Sequence, residues 1–363
     1  MSMRRKVDPV TVNVLITGCA GNQAHFIWSA LKRSSLSLRI IGCNYDHLGA
    51  GLYQFDAGYV VPPASDPGYL PEIATLCRNE DVHIIMAGNM AEMRALAANK
   101  DRLYEQTGAF VVTSPIDVLR RTEDKLAAAR YLAQLGFDSP RSVLPDERKE
   151  LQRFLDEVPF PVIVKDRFGA GSQGVAPAHN RAQLNYLLNS IPNAVIQEYL
   201  WPDDEEYTVG VFLSSQSTPV ASIVMKRQLG LGMTWKARVL PESPLGAYCE
   251  RILEGSGCVG PCNVQLRLTA RGPVVFEINP RFSSTTSARS YFGYNEAEMC
   301  IRNFVLGESV PRPAIRGGWL FRAVEDVFVD EESVESLRTA GTRHQSRIGD
   351  QNGNFRRHER HES

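Results

Sequence analysis

The chain has 363 residues, of which 43% are hydrophobic and 22% charged, the proportions of an ordinary globular protein. These proportions exclude disorder of the chain as a whole, and the length allows two or three domains. The 40 lysines and arginines are balanced by 41 aspartates and glutamates. The charge therefore gives no electrostatic argument for a nucleic-acid partner or for an anionic membrane, and a small-molecule function is favoured.

The amino terminus and the cysteines bear on the compartment. The start of the sequence, MSMRRKVDPVTVNVLITG, lacks the apolar core and cleavage site of a signal peptide, and no apolar run approaches the roughly 20 residues of a membrane span. The seven cysteines are odd in number and scattered, which is typical of reduced thiols in the cytoplasm. Cys258 and Cys262 lie close together, but without a nearby histidine they are better interpreted as core residues than as zinc ligands.

In the first third of the chain, strand-like runs alternate with helical stretches: VNVLITG, HFIWSALKR, LRIIGCNYD, PEIATLCRN, VHIIMAG and AFVVTSP. This alternation predicts a parallel sheet with crossover helices, that is, a Rossmann-like α/β domain. The turn TGCAGNQA, Thr17 to Ala24, lies between the first strand and the first helix. Because it has no third glycine, a tight turn or a substrate-anion contact is favoured over dinucleotide binding.

The pattern changes at about Pro115. The stretch TEDKLAAARYLAQLGFDSP predicts an amphipathic helix capped by Thr122. A strand (FPVIVKDRF), a glycine loop, a helix and a strand-rich stretch follow, then a helix from about Asn295 to Leu306 and a last strand in WLFRAVEDVFV. After Asp330 the polar composition predicts a disordered tail. The predicted units are residues 1–114, 115–195, 196–330 and the tail 331–363.

A cation and a glycine loop stand together in VIVKDRFGAGSQGV. Lys165 ends a strand and is followed by Gly169, Gly171, Ser172 and Gly174. Small residues let backbone N–H groups approach phosphate oxygens while the lysine supplies charge, so the loop predicts a polyphosphate site. A hairpin loop with a surface lysine is the alternative.

The stretch AVIQEYLWPDDEEYTVGVF joins two predicted strands. An extended linker such as Gln197 to Leu200 can offer a backbone carbonyl and an N–H to the edge of an adenine, and the later carboxylate of Glu206 can hold ribose hydroxyls. A plain acidic hairpin is the alternative interpretation.

Three polar side chains follow one another at alternate positions in VVFEINPRFSSTTS. Glu277, Asn279 and Arg281 should share one face of a strand, while Phe276 and Ile278 occupy the other. Carboxylate and carboxamide oxygens are ligands that Mg²⁺ prefers, and an arginine beside them suits phosphate oxygens. The stretch thus predicts a metal site, and a polar surface hairpin is the alternative.

The preceding strand supplies a partner for this site. Apolar alternation on both sides of ThrAlaArgGly predicts a hairpin centred near Arg271, which places Gln265 opposite Glu277. A third oxygen ligand would then lie on the same face.

Taken in order, Lys125, Lys165 with its glycine loop, the GlnGluTyrLeu linker, Glu206, and Gln265 with GluIleAsnProArg resemble the ATP-grasp superfamily. The resemblance is greatest to the synthetase domains of carbamoyl-phosphate synthase large chains and to the shorter ligases related to them, and it covers about Val12 to Asp330. It implies an α/β and α+β chain in which a Rossmann-like pre-ATP-grasp domain precedes a two-lobed ATP-grasp fold. The small lobe would carry the glycine loop and the large lobe the metal site.

The resemblance also implies roles for individual residues. Lys125 and Lys165 would contact the phosphates of ATP, and Arg281 would be a further phosphate contact. Glu206 would meet the ribose, although the adjacent Glu205 leaves that register open by one residue. The remaining expected ligands are the loop residues Gly169, Gly171, Ser172 and Gly174, the adenine linker Gln197, Glu198, Tyr199 and Leu200, and the Mg²⁺ (alternatively Mn²⁺) ligands Gln265, Glu277 and Asn279.

In this family, ATP converts a carboxylate into an acyl phosphate, which a nucleophile, usually an amine, then attacks. Bringing two anions together requires charge neutralisation and positioning rather than a protein nucleophile. We therefore expect a cytoplasmic ligase for a small-molecule carboxylate and an amine or thiol. A carbamoyl-phosphate-synthase-like or kinase-like enzyme acting on bicarbonate or carbamate, and a non-catalytic nucleotide-binding protein, remain open, as does a homodimer.

Further cations should meet the acceptor carboxylate or the transferring phosphoryl group. Arg227 and Arg289 are favoured because guanidinium groups suit carboxylates, and Lys226 and Arg267 are further candidates. The hydroxyls of Ser283 to Ser287 could bind a substrate or cap the following helix.

Overall fold

The computed structural model describes residues 11–169, 174–324 and 326–344. Their strands form three sheets of six, six and four strands. Within these residues, we find no helix that combines the length and the apolar character needed to cross a bilayer.

The first sheet has the five parallel strands expected of a Rossmann-like domain, in the order β3-β2-β1-β4-β5. Leu15 and Ile16 are adjacent on the central strand and both are fully buried, because helices cover both faces of the sheet. The predicted parallel sheet is confirmed. Its elements are β1 (Val12–Thr17), α1 (Asn22–Leu31), β2 (Leu38–Asn44), α2 (Gly51–Gln54), β3 (Ala57–Val60), α3 (Tyr69–Asn79), β4 (Ile84–Ala87), α4 (Met90–Ala97), α5 (Lys100–Thr107) and β5 (Phe110–Val112).

A smaller antiparallel sheet follows, in the order β6-β9-β7-β8. Its core includes Phe154 and Leu184, from the helices over Arg148–Glu157 and Arg181–Ser190. The strands contribute Val162, Val164 and Ile196. This part contains α6 (Ile116–Glu123), α7 (Lys125–Gln134), β6 (Ser142–Val143), α8 (Arg148–Glu157), β7 (Val162–Asp166), β8 (Val175–Ala178), α9 (Arg181–Ser190) and β9 (Ala194–Glu198).

The cap predicted for α7 is wrong. Thr122 lies inside α6, where its hydroxyl donates to the carbonyl of Val118. The carboxylate of Asp124 instead accepts the backbone N–H groups of Leu126 and Ala127. An aspartate two residues later satisfies the same free N–H groups, and two consecutive helices replace the single one expected.

The large antiparallel sheet has the order β14-β13-β10-β11-β12-β15. Helix α10 covers one face, and on the other face α11 and α12 also contact α1. One core therefore joins the first and the large sheets, with Ile16, Phe212 and Tyr294 among its buried residues. The elements are β10 (Glu206–Leu213), β11 (Pro219–Gly230), β12 (Met233–Val239), α10 (Leu245–Leu253), β13 (Gly260–Thr269), β14 (Gly272–Asn279), α11 (Thr286–Tyr291), α12 (Glu296–Cys300), a π-helical turn (Ile301–Val305) and β15 (Gly318–Phe321).

The register predicted for the β13–β14 hairpin is confirmed, because Gln265 lies opposite Glu277. However, the next pair is Leu266 with Val275, so Phe276 is the extra residue of a β-bulge. The bulge breaks the alternation of faces, and Phe276 lines the same cavity as Glu277. The prediction that Phe276 lies on the opposite face is therefore wrong.

The chain returns to the first sheet after the large one. Helix α13 (Glu331–Ala340) leads into β16 (Thr342–His344), which pairs antiparallel with β3. Leu337 is fully buried, so one well-placed apolar side chain attaches a segment that is polar on average. The predicted disorder is wrong for residues 331–344, and residues 345–363 lie outside the described residues. The predicted boundary between residues 195 and 196 falls inside β9, and the other boundaries stay predictions.

Candidate active site

A cavity of about 220 Å³ lies between the two antiparallel sheets. The small sheet contributes Lys165 from β7 and the end of β9, and the large sheet contributes residues of β10, β11, β13 and β14. Neither sheet closes the cavity alone. Most of the predicted nucleotide-binding residues line it: Lys125, Lys165, Gly169, Gln197, Glu198, Tyr199, Leu200 and Glu206.

Lys165 is a buried cation of this cavity, with 8% of its surface exposed. Burial lowers its pKa to about 8, the charge of Lys125 adds to this lowering, and the carboxylate of Glu277 opposes it. The Lys165 Nζ lies 6.0 Å from the centre of the Phe276 ring. The lysine of the small sheet and the carboxylate of the large sheet thus share one cleft.

Lys125 holds the start of the glycine loop. Its Nζ donates to the carbonyls of Gly169 and, at 3.4 Å, of Arg167. Burial lowers the pKa of Lys125, and Glu277 is the first of the carboxylates that oppose this shift. Gly174, at the far end of the loop, has a φ of +64°, which a glycine adopts without strain. Gly171 and Ser172 lie outside the described residues.

The linker after β9 forms the opposite wall of the cavity. Gln197 is buried and its Nε2 donates to the Ser142 hydroxyl at 2.7 Å. The Glu198 carboxylate pairs with Arg271 and accepts the backbone N–H of Arg141 at 2.9 Å. Since these side chains have protein partners, the linker would contact a base through its backbone, as the resemblance implies.

The structure distinguishes between the two adjacent glutamates. Glu206 lines the cavity, whereas the Glu205 carboxylate accepts from Lys226 and from the Tyr207 hydroxyl. Glu205 immediately precedes β10, and alternation in an extended segment places the two carboxylates on opposite faces of the sheet. Glu206 also accepts from Arg227 at 2.8 Å and from Arg267 at 2.6 Å, so two guanidinium groups hold it in place.

Two smaller cavities adjoin the first and share Glu277 with it. The second, of about 40 Å³, is also lined by Lys125, Asn279 and Arg281. The third, of about 120 Å³, is lined by Gln265 and Arg281, together with Arg227, Ser283 and Ser284. The three predicted metal ligands thus lie around the place where the three cavities adjoin.

The side chains at this point fit a hard cation such as Mg²⁺. The buried Asn279 Nδ2 donor has no acceptor among the described residues, which suits a phosphate oxygen next to the ion, while its Oδ1 could face the ion. The Gln265 Oε1 accepts from Arg227 at 2.6 Å, but a carboxamide oxygen has a second lone pair. Gln265, Glu277 and Asn279 could therefore hold the ion with oxygen atoms from two paired strands.

Three of the predicted arginines line the cavities, namely Arg227, Arg267 and Arg281. Arg281 donates to the carbonyl of Phe282 at 2.8 Å, and burial lowers its pKa while Glu277 opposes the shift. Arg227 is 8% exposed and lines the first and third cavities.

Arg289 does not reach the site, and its predicted contact with the acceptor is wrong. The side chain is fully buried and pairs at 3.0 Å with Glu296, which is also fully buried. It also donates to the Asn263 side chain. A Cβ at Gly210 would lie 2.5 Å from the guanidinium, so this glycine makes room for the arginine inside the core.

Sequence reasoning missed two residues of the site. Phe276 enters the cavity through the bulge, and a strictly alternating strand gives no signal of it. Arg94, from α4 of the first sheet, lines the second cavity, although in sequence it is an ordinary polar residue of an amphipathic helix. Both positions depend on contacts between distant parts of the chain.

Three family models match the chain. An N-terminal PylC-like domain matches residues 14–112, a RimK-like ATP-grasp domain matches residues 122–217, and an ATP-grasp domain described as belonging to the biosynthetic pathway with the Ter operon matches residues 190–327. By these matches, the chain is similar to ATP-grasp domains over residues 122–327. Its curated relatives include carbamoyl phosphate synthase large chains, so the predicted resemblance is confirmed.

The large chain of Thermomicrobium roseum is 24% identical over 338 residues, which cover 84% of this chain and 31% of the relative. The chain thus spans about a third of that relative's length. Among solved structures, N5-carboxyaminoimidazole synthetase from Staphylococcus aureus in complex with ADP has a TM-score of 0.65 at 16% identity, covering 84% of this chain and 80% of that one. Biotin carboxylase from Campylobacter jejuni has a TM-score of 0.66 at 15% identity, covering 85% and 74%. These two similarities establish the fold.

Proposed function

We propose that this protein is an ATP-dependent ligase that activates a small-molecule carboxylate as an acyl phosphate and joins it to an amine. The observation that carries the proposal is the cavity in which Lys165 of the small sheet and Glu277 of the large sheet face one another. A cation and a carboxylate facing each other across two sheets would suit a metal-bound polyphosphate between them.

In this proposal, the adenine lies against the linker Gln197 to Leu200 and the ribose against Glu206. Lys125 and Lys165 hold the phosphates near the glycine loop. Gln265, Glu277 and Asn279 hold Mg²⁺, or Mn²⁺ in its place, which when bound neutralises phosphate charge and aligns the phosphates.

The reaction needs no protein nucleophile. An oxygen of the acceptor carboxylate attacks the γ-phosphorus, the bond to the bridging oxygen of ADP breaks, and ADP leaves. The amine then attacks the acyl carbon, inorganic phosphate leaves and the amine loses a proton. Lys165 and Arg281 lower the barrier by neutralising the charge that gathers on the phosphoryl oxygens.

A second candidate is phosphorylation of bicarbonate or carbamate by the same site. It is favoured by the similarity to carbamoyl phosphate synthase large chains and by the small, polar third cavity of about 120 Å³. A non-catalytic nucleotide-binding role would be indicated by MgATP binding without ADP formation.

ADP formation from MgATP tests the proposal. The purified protein is screened with carboxylic acids, amino acids and bicarbonate, each with and without amines, and hydroxylamine traps an acyl phosphate as a hydroxamate. We expect ADP and hydroxamate to appear together with one class of acid. ADP formation with bicarbonate alone would select the second candidate, and absence of ATP binding in magnesium buffer would overturn both.

We also propose a cytoplasmic setting and leave a homodimer as the candidate assembly. All seven cysteines are buried free thiols, which suits a reducing compartment that supplies ATP.

A further inference from the structure

Most cations around the site already have protein partners, which limits what can bind the acceptor. The described structure pairs Arg227 with Glu206 and Gln265, Arg267 with Glu206, Lys226 with Glu205, and Arg289 with Glu296. Lys125 and Lys165 are assigned to ATP in the proposed function. Arg281, which has no carboxylate partner among the described residues, and Arg94, which pairs with Glu123 through its Nε alone, are the cations left for an anionic acceptor.

Arg94 lines the second cavity with Glu277, Asn279 and Arg281. Its Nε donates to both carboxylate oxygens of Glu123, at 2.9 and 3.1 Å, which fixes one edge of the guanidinium. The two terminal nitrogens have no hydrogen-bond partner among the described residues, and the side chain is 48% exposed. The guanidinium is thus held at its Nε edge. Its two terminal nitrogens remain available at the cavity that contains the proposed metal and phosphate ligands.

We propose that Arg94 forms an anion subsite that binds a carboxylate other than the one that is activated. The substrate class is then an acid with two carboxylates, or an amino acid that serves as the amine and keeps its own carboxylate. Two terminal N–H groups of a guanidinium match the two oxygens of a carboxylate. This inference rests on the proposed function, and it disfavours bicarbonate, which has no second anionic group.

The small size of the second cavity limits the distance between the two carboxylates of the substrate. Its lining includes both Arg94 and Arg281, around a volume of about 40 Å³. A short chain between the two carboxylates would let Arg94 bind one while the other lies beside Arg281 and the γ-phosphate. The helix α4 of the first sheet would thereby help to select the substrate of a site built by the other two sheets.

Calorimetric titration of the full chain tests the subsite, with and without Mg²⁺ and a non-hydrolysable ATP analogue. The probes are malonate, succinate and glutarate against their half-amides, and glycine and alanine against their amides. We expect one set to bind at least about tenfold more tightly in its charged form, since a charge-assisted bidentate pair is lost in the amide. A preference among the dicarboxylates places the second carboxylate on the activated acid, and a preference among the amino acids places it on the amine.

Arg94→Gln should abolish this preference while leaving the affinity for the amides and for the ATP analogue unchanged, and Arg94→Lys should restore part of it. Arg102→Gln, which removes an exposed charge from the same part of the chain, is the matched control. The subsite is refuted if neither set shows the preference or if the preference persists in Arg94→Gln. Normal binding of the ATP analogue in that case would leave the proposed function standing.

Discussion

Glu277 lies where the three cavities meet, between cations from both sides. It opposes the pKa lowering of Lys165, Lys125 and Arg281, so its charge acts on all three. Glu277 is therefore the carboxylate that all three buried or half-buried cations share before a metal and a phosphate bind.

Glu277→Gln should reduce Mg²⁺-dependent ADP formation at least about a hundredfold, because it removes the charged ligand of the metal site. The fold should be retained, since glutamine keeps the shape of the side chain. Initial rates at several Mg²⁺ concentrations and a circular dichroism spectrum provide the measurement, with the exposed Glu242→Gln as control. Near-normal activity would contradict the metal assignment.

The pKa of Lys165 gives a pH dependence of nucleotide binding. In the free protein, Lys165 loses its proton as the pH rises through about 8, whereas a bound phosphate favours the charged form. Binding should then take up a proton above pH 8, and affinity should fall by up to about tenfold per pH unit. Below pH 8, Lys165 is protonated in both the free and the nucleotide-bound protein, so the affinity should no longer depend on pH through this group.

Titration calorimetry between pH 7 and 9, in buffers of different ionisation enthalpy, measures that proton uptake. Lys165→Arg is the control, because arginine stays charged throughout the range. An equal pH dependence in this variant would show that another group is responsible.

Arg289 should affect stability rather than substrate binding. Arg289→Met leaves the fully buried Glu296 without its counter-charge, which should cost about 3–5 kcal/mol of unfolding free energy. Urea unfolding measures the loss, and Arg153→Met on the exposed face of α8 serves as control. Unchanged stability together with a weakened affinity for the acid would support the sequence-based prediction that Arg289 contacts the acceptor carboxylate.

At the scale of elements, the β13–β14 hairpin and the α13–β16 segment depart from the sequence expectations in opposite ways. The hairpin has the predicted register, and one inserted residue redirects Phe276 towards the nucleotide cavity. The α13–β16 segment has the polar composition expected of a disordered tail, yet it adds an edge strand to the first sheet. In both cases a single residue, placed by tertiary contacts, decides the outcome.

Leu337 anchors the α13–β16 segment. Leu337→Ala should lower the unfolding free energy by about 2–5 kcal/mol, because the side chain is fully buried and its removal leaves a cavity. Denaturant unfolding measures the effect, with Leu231→Ala as the exposed counterpart, 81% accessible. Equal stability of both variants would mean that the segment is not attached in solution.

At the scale of the whole molecule, the nucleotide site joins two sheets that have separate cores. The small sheet has its own core around Val162 and Val164, whereas the large sheet shares a core with the first. A ligand that contacts both Lys165 and Glu277 would couple the small sheet to the rest of the chain.

Binding of a non-hydrolysable ATP analogue with Mg²⁺ should therefore stabilise the protein by about 2.7 kcal/mol at a concentration a hundredfold above Kd. Hydrogen exchange should show protection of β7 and β14 together. Thermal unfolding with Mg²⁺ and with a chelator separates the contribution of the metal, and Glu277→Gln should lose that difference. Stabilisation that is independent of Mg²⁺ would count against a metal between the sheets.

The sequence by itself determined the parallel first sheet, the order of the nucleotide-binding segments and the pairing of Gln265 with Glu277. These features rest on local patterns: alternation of apolar residues, glycines beside a lysine, and a hairpin whose two strands are adjacent in the chain. Each can be read from a short stretch of neighbouring residues.

Only the tertiary structure decided that Glu206 rather than Glu205 lines the cavity, that Arg289 is buried against Glu296, and that Arg94 borders the proposed metal site. The direction of a charged side chain depends on which partners approach it from distant segments, and the free energy of burying an arginine changes sign with the presence of one carboxylate. A local sequence pattern does not identify those partners, so these assignments required the tertiary structure.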